Sequence, residues 1–237
     1  MNLTMMLALW RQRLTSPIRL ALLGAITGFP LLAVAFMQGA GLTILGDSQG
    51  PVLVLGAGMI GQDISSGVLQ LLFARPVRRP DYVLTRWLGV AIAASAVAAL
   101  QIMIALPLLA GRGMMPGMEE ILPYAAGRVI ESFGLAAVMA LLSSLAPGLG
   151  DLALYLLGNM IGGVMQTAGR LKGWLWMDHL GAELAASLQP TIDVGRLLHG
   201  SPVSWYPVVA YASTVTLCLA VAIVVVNRRE LSYASAG

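Results

Sequence analysis

Residues Gly61–Trp87, GQDISSGVLQLLFARPVRRPDYVLTRW, set a short amphipathic stretch and a basic, proline-broken turn between two very apolar segments. At helical spacing Val68, Leu71 and Leu72 share one face suited to docking. Asp63 can favour a helix N-terminus there, and Ser65 or Ser66 can bond its free amides. Pro76 and Pro80 then stop the helix and stiffen the return, since neither can donate a backbone hydrogen bond. Such a segment suits a partner met at a membrane surface. The plainer alternative is a short loop whose arginines only set membrane orientation.

The rest of the chain supplies the membrane. Of 237 residues 58% are hydrophobic and 11% charged, with a mean hydropathy of +0.82. That leaves too little polar surface to cover a water-soluble globule. Its 27 glycines and 12 prolines are tolerated in membrane helices, where neighbours satisfy freed backbone groups. The apolar runs are long and continuous, unlike the alternating strands of about ten residues in a β-barrel. The fold class expected is all-α and polytopic.

A crossing helix needs roughly 20 mostly apolar residues. Five runs qualify: Pro17–Gln38, Leu88–Ala110, Ile121–Leu145, Leu152–Ala168 and Tyr206–Val226. The stretch Val52–Ile60 is too short alone. Extended back to Leu42 it leaves Asp47 and Asp63 at its two ends, whereas extension to Ala74 would bury Asp63 at a cost of about 3 kcal/mol. The first register gives six spans with both termini on one side. Arg11, Arg13, Arg19, Arg75, Arg78, Arg79, Arg86, Arg228 and Arg229 fall on that side, against Arg112, Arg170, Lys172 and Arg196 on the other. Both termini are therefore expected in the cytoplasm, in the inner (cytoplasmic) membrane. The net charge of +3 is then an orientation signal and a bias toward anionic lipid, with no nucleic-acid partner implied. Leu3, Met6, Leu7, Trp10 and Leu14 recur at helical spacing, so residues 1–16 are expected to form an interfacial helix before an uncleaved first span.

Several chemistries have no support. The single cysteine, Cys218, sits in the last apolar run and forms no internal disulfide. There is no zinc-type Cys/His spacing, no GxSxG, no HExxH and no dinucleotide fingerprint. A Walker A sequence is also absent, so ATP-driven work would need a second chain to hydrolyse the nucleotide.

The run from Asp63 through Gly67 to Arg75-Pro76 and Arg79 resembles the signature of type-2 ABC transporter permeases. In that family an acidic residue, with a glycine four positions on, opens a short helix ending in Arg-Pro. A basic residue follows three positions later, and an aromatic precedes a basic residue leading into the third span, met here by Tyr82 and Arg86. The resemblance extends to the N-terminal helix, six spans, Pro51 early in the second span, a longer outer segment and the Arg228-Arg229-Glu230 tail. Two departures stand out: glutamate is commoner where Asp63 lies, and charged residues are commoner at Ile64 and Ser65.

The resemblance implies a coupling helix within 63–86 that inserts into a cleft on a separate ABC ATPase subunit. Its contact residues would be Asp63, Ser66, Gly67, Val68, Leu71, Leu72, Arg75, Pro76 and Arg79. It also implies a dimer with a second permease copy, identical or a close paralogue, and export more than import. ATP and Mg would belong to the partner, with no cofactor on this chain and no catalytic residues. The spacing Gly158-x3-Gly162 permits close helix contact, and in the resembling family the fifth span lies near the dimer interface.

Polar residues inside the apolar runs are functional candidates by default. Arg128 and Glu131, three apart, can pair with each other. They would either line a cavity or, the favoured reading, lock helices within one subunit. Gln101, Asn159 and Gln166 suit helix-to-helix bonds. Met114, Met115 and Met118, with His179 and His199, offer soft ligands, yet 13 methionines in so apolar a chain make clustering by chance the better account, and no metal is assigned. The outer segment 169–204 carries Trp174 and Trp176 as interfacial anchors, and Leu180–Leu188 is expected as a surface helix acting as a lid. Two other classes compete: a membrane-embedded enzyme using Glu131 and Arg128, and a proton-coupled secondary transporter, which calls for inverted repeats and helices broken near midplane.

Overall fold

The computed structural model describes residues 3–37, 41–67, 69, 78–199 and 205–234. Every regular element among them is helical. In chain order these are α1 (Leu3–Leu14), α2 (Pro17–Phe36), a 3-10 turn (Leu42–Leu45), α3 (Gln49–Gly56), α4 (Gly61–Ser65), α5 (Arg79–Ala110), α6 (Met118–Leu145), α7 (Gly150–Lys172), α8 (Leu175–Leu188), α9 (Val194–His199) and α10 (Tyr206–Ala234).

Four of these, α2, α5, α6 and α10, are long and apolar enough to cross a membrane. The protein is therefore membrane-embedded. Half of the apolar window of α6 is buried inside the molecule, against 6% for α2, which makes α6 the axis and α2 a peripheral helix. The axis is packed by α3, α5, α7, α9 and α10. Its sequence suits that position, because Gly134–Ala140 is small or apolar on every face and lies wholly buried. Trp87 of α5 donates to the Phe133 carbonyl at 2.9 Å and meets the Phe133 ring edge-on. Tyr211 of α10 donates to the Ile130 carbonyl at 2.7 Å.

Helix α1 matches the expected interfacial helix in extent. It packs on α5, where Trp10 donates to the Gly89 carbonyl at 2.8 Å. The third apolar run begins earlier than expected: α5 starts at Arg79, with Pro80 in its first turn, where a missing amide costs nothing. Pro80 therefore opens a helix instead of ending one. At 32 residues α5 is about 48 Å long, well beyond the roughly 30 Å of hydrocarbon. The surplus is enough to carry Arg79–Arg86 out of the apolar layer.

Two expectations change. The second run does not form one continuous helix: α3 stops at Gly56 and α4 begins at Gly61. The helix expected at Leu180–Leu188 does form, as part of Leu175–Leu188, but it is not laid flat by itself. A left-handed Gly173 turns the chain, and α8 runs back antiparallel along α7. It ends where Pro190 presses on Gly134, near the middle of α6.

Candidate functional site

The break between α3 and α4 follows from its residues. Ala57 leaves the helix with ψ 122° and Gly58 takes φ +67°, a conformation open to glycine and strained for side chains. A Cβ on Gly61 would stand 2.6 Å from the Ala146 carbonyl oxygen and 2.8 Å from that of Gly148. The loop joining α6 to α7 thus lies against the break, and the Gly148 amide donates to the Gly61 carbonyl at 2.8 Å.

Breaking a buried helix strands backbone groups, each of which must find a partner. Asp151, in the first turn of α7, accepts from the Gly58 amide at 2.6 Å. Ser143 of α6 accepts from the Ile60 and Gly61 amides at 3.0 and 2.9 Å. Arg13 of α1 donates to the Ala57 carbonyl. Arg13 is buried, and that burial together with Arg19 and Arg86 pushes its pKa down to about 9, so the guanidinium is still charged at neutral pH. Arg19 of α2 donates to the Gln62 side chain at 3.3 Å.

One turn later Asp63 is buried, accepting from the Tyr82 hydroxyl at 2.6 Å and forming an ion pair with Arg86. The guanidinium of Arg86 also lies 5.3 Å from the centre of the Tyr82 ring. The chain leaving at α4 and the chain returning at α5 are therefore tied at their base. Arg13, Asp63, Arg86 and Asp151 make this end of the molecule a charged node joining α1, α4, α5 and α7.

Of the expected docking residues, Val68, Leu71, Leu72, Arg75 and Pro76 lie outside the described residues. Asp63 does fall in the first turn of a helix, but that helix is only five residues long and the carboxylate turns inward to Tyr82 and Arg86. Ser65 and Ser66 do not cap free amides. Both hydroxyls donate back to the Gln62 carbonyl, at 3.1 and 2.7 Å, which closes α4 at its C-terminus. Gly67 follows at φ +70°, a left-handed helix stop. Leu69 is buried in the core. Arg79 stands at the start of α5.

At the far end of the same segment, Arg128 and Glu131 do not pair with each other among the described residues. Arg128 donates to the Leu45 and Gly46 carbonyls, to the Tyr124 hydroxyl at 3.2 Å and to Gln101 at 3.2 Å. Glu131 accepts from the Ser48 amide at 2.9 Å, at the N-terminus of α3, where a carboxylate is favoured by the exposed amides. Ser48 returns a bond to the Arg128 carbonyl at 2.8 Å. The two residues do lock helices, but through the backbone of residues 45–48. An open pocket of about 360 Å³ lies beside them, edged also by Asp47 and Asp193.

Gly158 and Gly162, expected at a dimer interface, face α8 of the same chain. A Cβ on Gly158 would meet Leu188 at 2.7 Å, and one on Gly162 the Gly181 carbonyl at 3.2 Å. Asn159 accepts from Gln189 at 2.8 Å in the same contact. Met114 is partly buried among apolar neighbours while Met115 and Met118 are exposed. Sequence reasoning missed Asp151 and Ser143. Asp151 carried a visible signal, an acidic residue opening a helix after Gly148 and Gly150. Ser143 carried none.

Comparison with known proteins found no matching family model, no matching curated protein and no matching solved structure.

Proposed function

We propose that this chain is the membrane subunit of an ATP-driven ABC exporter, working as a dimer with a separate ATPase that binds ATP and Mg. The observation that carries this reading is the Asp63-x3-Gly67-x7-Arg75-Pro76 spacing in a segment whose two ends are tied by Asp63, Tyr82 and Arg86. A push on that loop reaches α5 through Arg86, α6 through Ser143 and α7 through Asp151. A lever needs such a braced base, because a loop on loose roots would absorb the displacement. The arginine-rich end then faces the cytoplasm, and the path makes six crossings, counting α3–α4 as one and α7 as another.

The broken α3–α4 segment would also suit a proton-coupled secondary transporter. Its freed amides, however, are already taken by Asp151 and Ser143, and Arg128 and Glu131 are committed to backbone groups. Those commitments also weigh against a membrane-embedded enzyme built on that pair.

The test is co-purification of the tagged chain from its native host, with ATPase activity assayed for wild type and for the Gly67→Pro/Leu71→Asp double variant. Recovery of a Walker-containing ATPase with wild type, and its loss with the variant, is the expected result. A wild-type chain that purifies with no ATPase overturns the proposal.

A further inference from the structure

A cavity of about 240 Å³ runs between α1, α3 and α5 with an almost wholly apolar wall. Leu9, Trp10 and Leu14 come from α1, Leu55 from α3, and Val97 and Leu100 from α5. The indole N–H of Trp10 is spent on the Gly89 carbonyl, so the ring is left as plain apolar wall. Among the described residues lining it, Arg13 alone is charged.

Size, direction and charge narrow the occupant. The eleven-residue step from Gly89 to Leu100 along α5 covers about 16 Å, close to half the roughly 30 Å of hydrocarbon. The groove thus begins beside interfacial α1 and runs toward the bilayer middle, the direction of an acyl chain. A helix of 10 Å diameter and that length would fill on the order of 1,000 Å³, more than the groove offers. Leu14 and Leu100 on the rim are exposed, at 45% and 53%, and face the apolar phase. Arg19 stands close enough to Arg13 to act on its charge, and Arg11 is exposed on the outer face of α1, so positive potential collects at that end.

We propose that this groove is a lipid site holding one acyl chain of an anionic glycerophospholipid, with its phosphate drawn to the end where Arg13 lines the wall. The site rests on the membrane-embedded fold and stands apart from the transport reading.

The experiment is intact-protein mass spectrometry of the full chain, stripped in detergent and then mixed with dioleoyl phosphatidylglycerol or dioleoyl phosphatidylcholine. Wild type is expected to retain one phosphatidylglycerol about fivefold better than phosphatidylcholine, the preference that roughly one surface cation supplies. Ala96→Trp, at the exposed rim, is expected to abolish retention while thermal unfolding stays cooperative, and Met160→Trp on the exposed face of α7 is expected to change nothing. Should Ala96→Trp fail to fold, Leu14→Trp on the opposite rim is read in the same way. Equal retention of the two lipids, retention undiminished by the rim variant, or two-chain species without lipid would each overturn the proposal.

Discussion

The two ends of residues 42–65 are both held by charged side chains, yet they are held differently. At the far end Arg128 and Glu131 sit on one helix and grip the adjoining backbone of residues 45–48. At the near end Arg13, Arg86 and Asp151 reach in from three separate helices to Ala57, Asp63 and Gly58. The first arrangement is an anchor, because both residues that grip the backbone come from α6, with α5 joined only through the Gln101 side chain. The second is a junction, because moving it means moving α1, α5 and α7 together. Charge inside a membrane protein therefore does not report function by its presence; what it connects decides its role.

The sharpest way to break this contrast is Asp151→Ala. It leaves the Gly58 amide without its acceptor and removes a negative charge among Arg13 and Arg19, so a loss of about 3 kcal/mol is expected, read as a large drop in the thermal unfolding midpoint in detergent. A midpoint near wild type would mean that the break does not depend on α7. Asp63→Asn keeps an oxygen for Tyr82 but discharges the partner of Arg86, with an expected cost of about 2 kcal/mol. Under the proposed ATPase-coupled reading, ATPase activity of the co-purified complex is expected to fall further than stability does, and parallel falls in both would reduce Asp63 to a structural role. Gly61→Ala forces a methyl onto the Ala146 and Gly148 carbonyls and should cost about 1–2 kcal/mol, measured by the same melt. Glu131→Gln retains an acceptor for the Ser48 amide and should cost under about 1 kcal/mol. A loss at Glu131 equal to that at Asp151 would erase the distinction between anchor and junction.

How much of this was legible depends on range. The α-helical class and the runs that become α2, α5, α6 and α10 are readable, since apolar length is a local property. The glycines at 56, 58 and 61 were equally visible, but membrane helices tolerate glycine, and only the 146–148 loop pressing on Gly61 turns them into a break. Arg13 and Arg86 were counted on one side, and they do stand at one end of the molecule. That they also bind Ala57 and Asp63 is a tertiary fact that no count of charges contains. Arg128 and Glu131 were expected to pair, yet each bonds elsewhere, because helical spacing brings them near each other and says nothing of the bare carbonyls and amides of residues 45–48 nearby. The spacing Gly158-x3-Gly162 likewise signals close packing without naming the partner, which is α8.

The hairpin of α7 and α8 sets an order on assembly. Residues 175–190 bear Asp178, His179 and Glu183 and turn back near the middle of α6 without crossing. Pro190 needs the notch at Gly134, and that notch is walled by Tyr211 of α10. Helix α10, made after α8, therefore completes the seat for a segment made before it, so the end of α8 can settle there only once α10 has arrived.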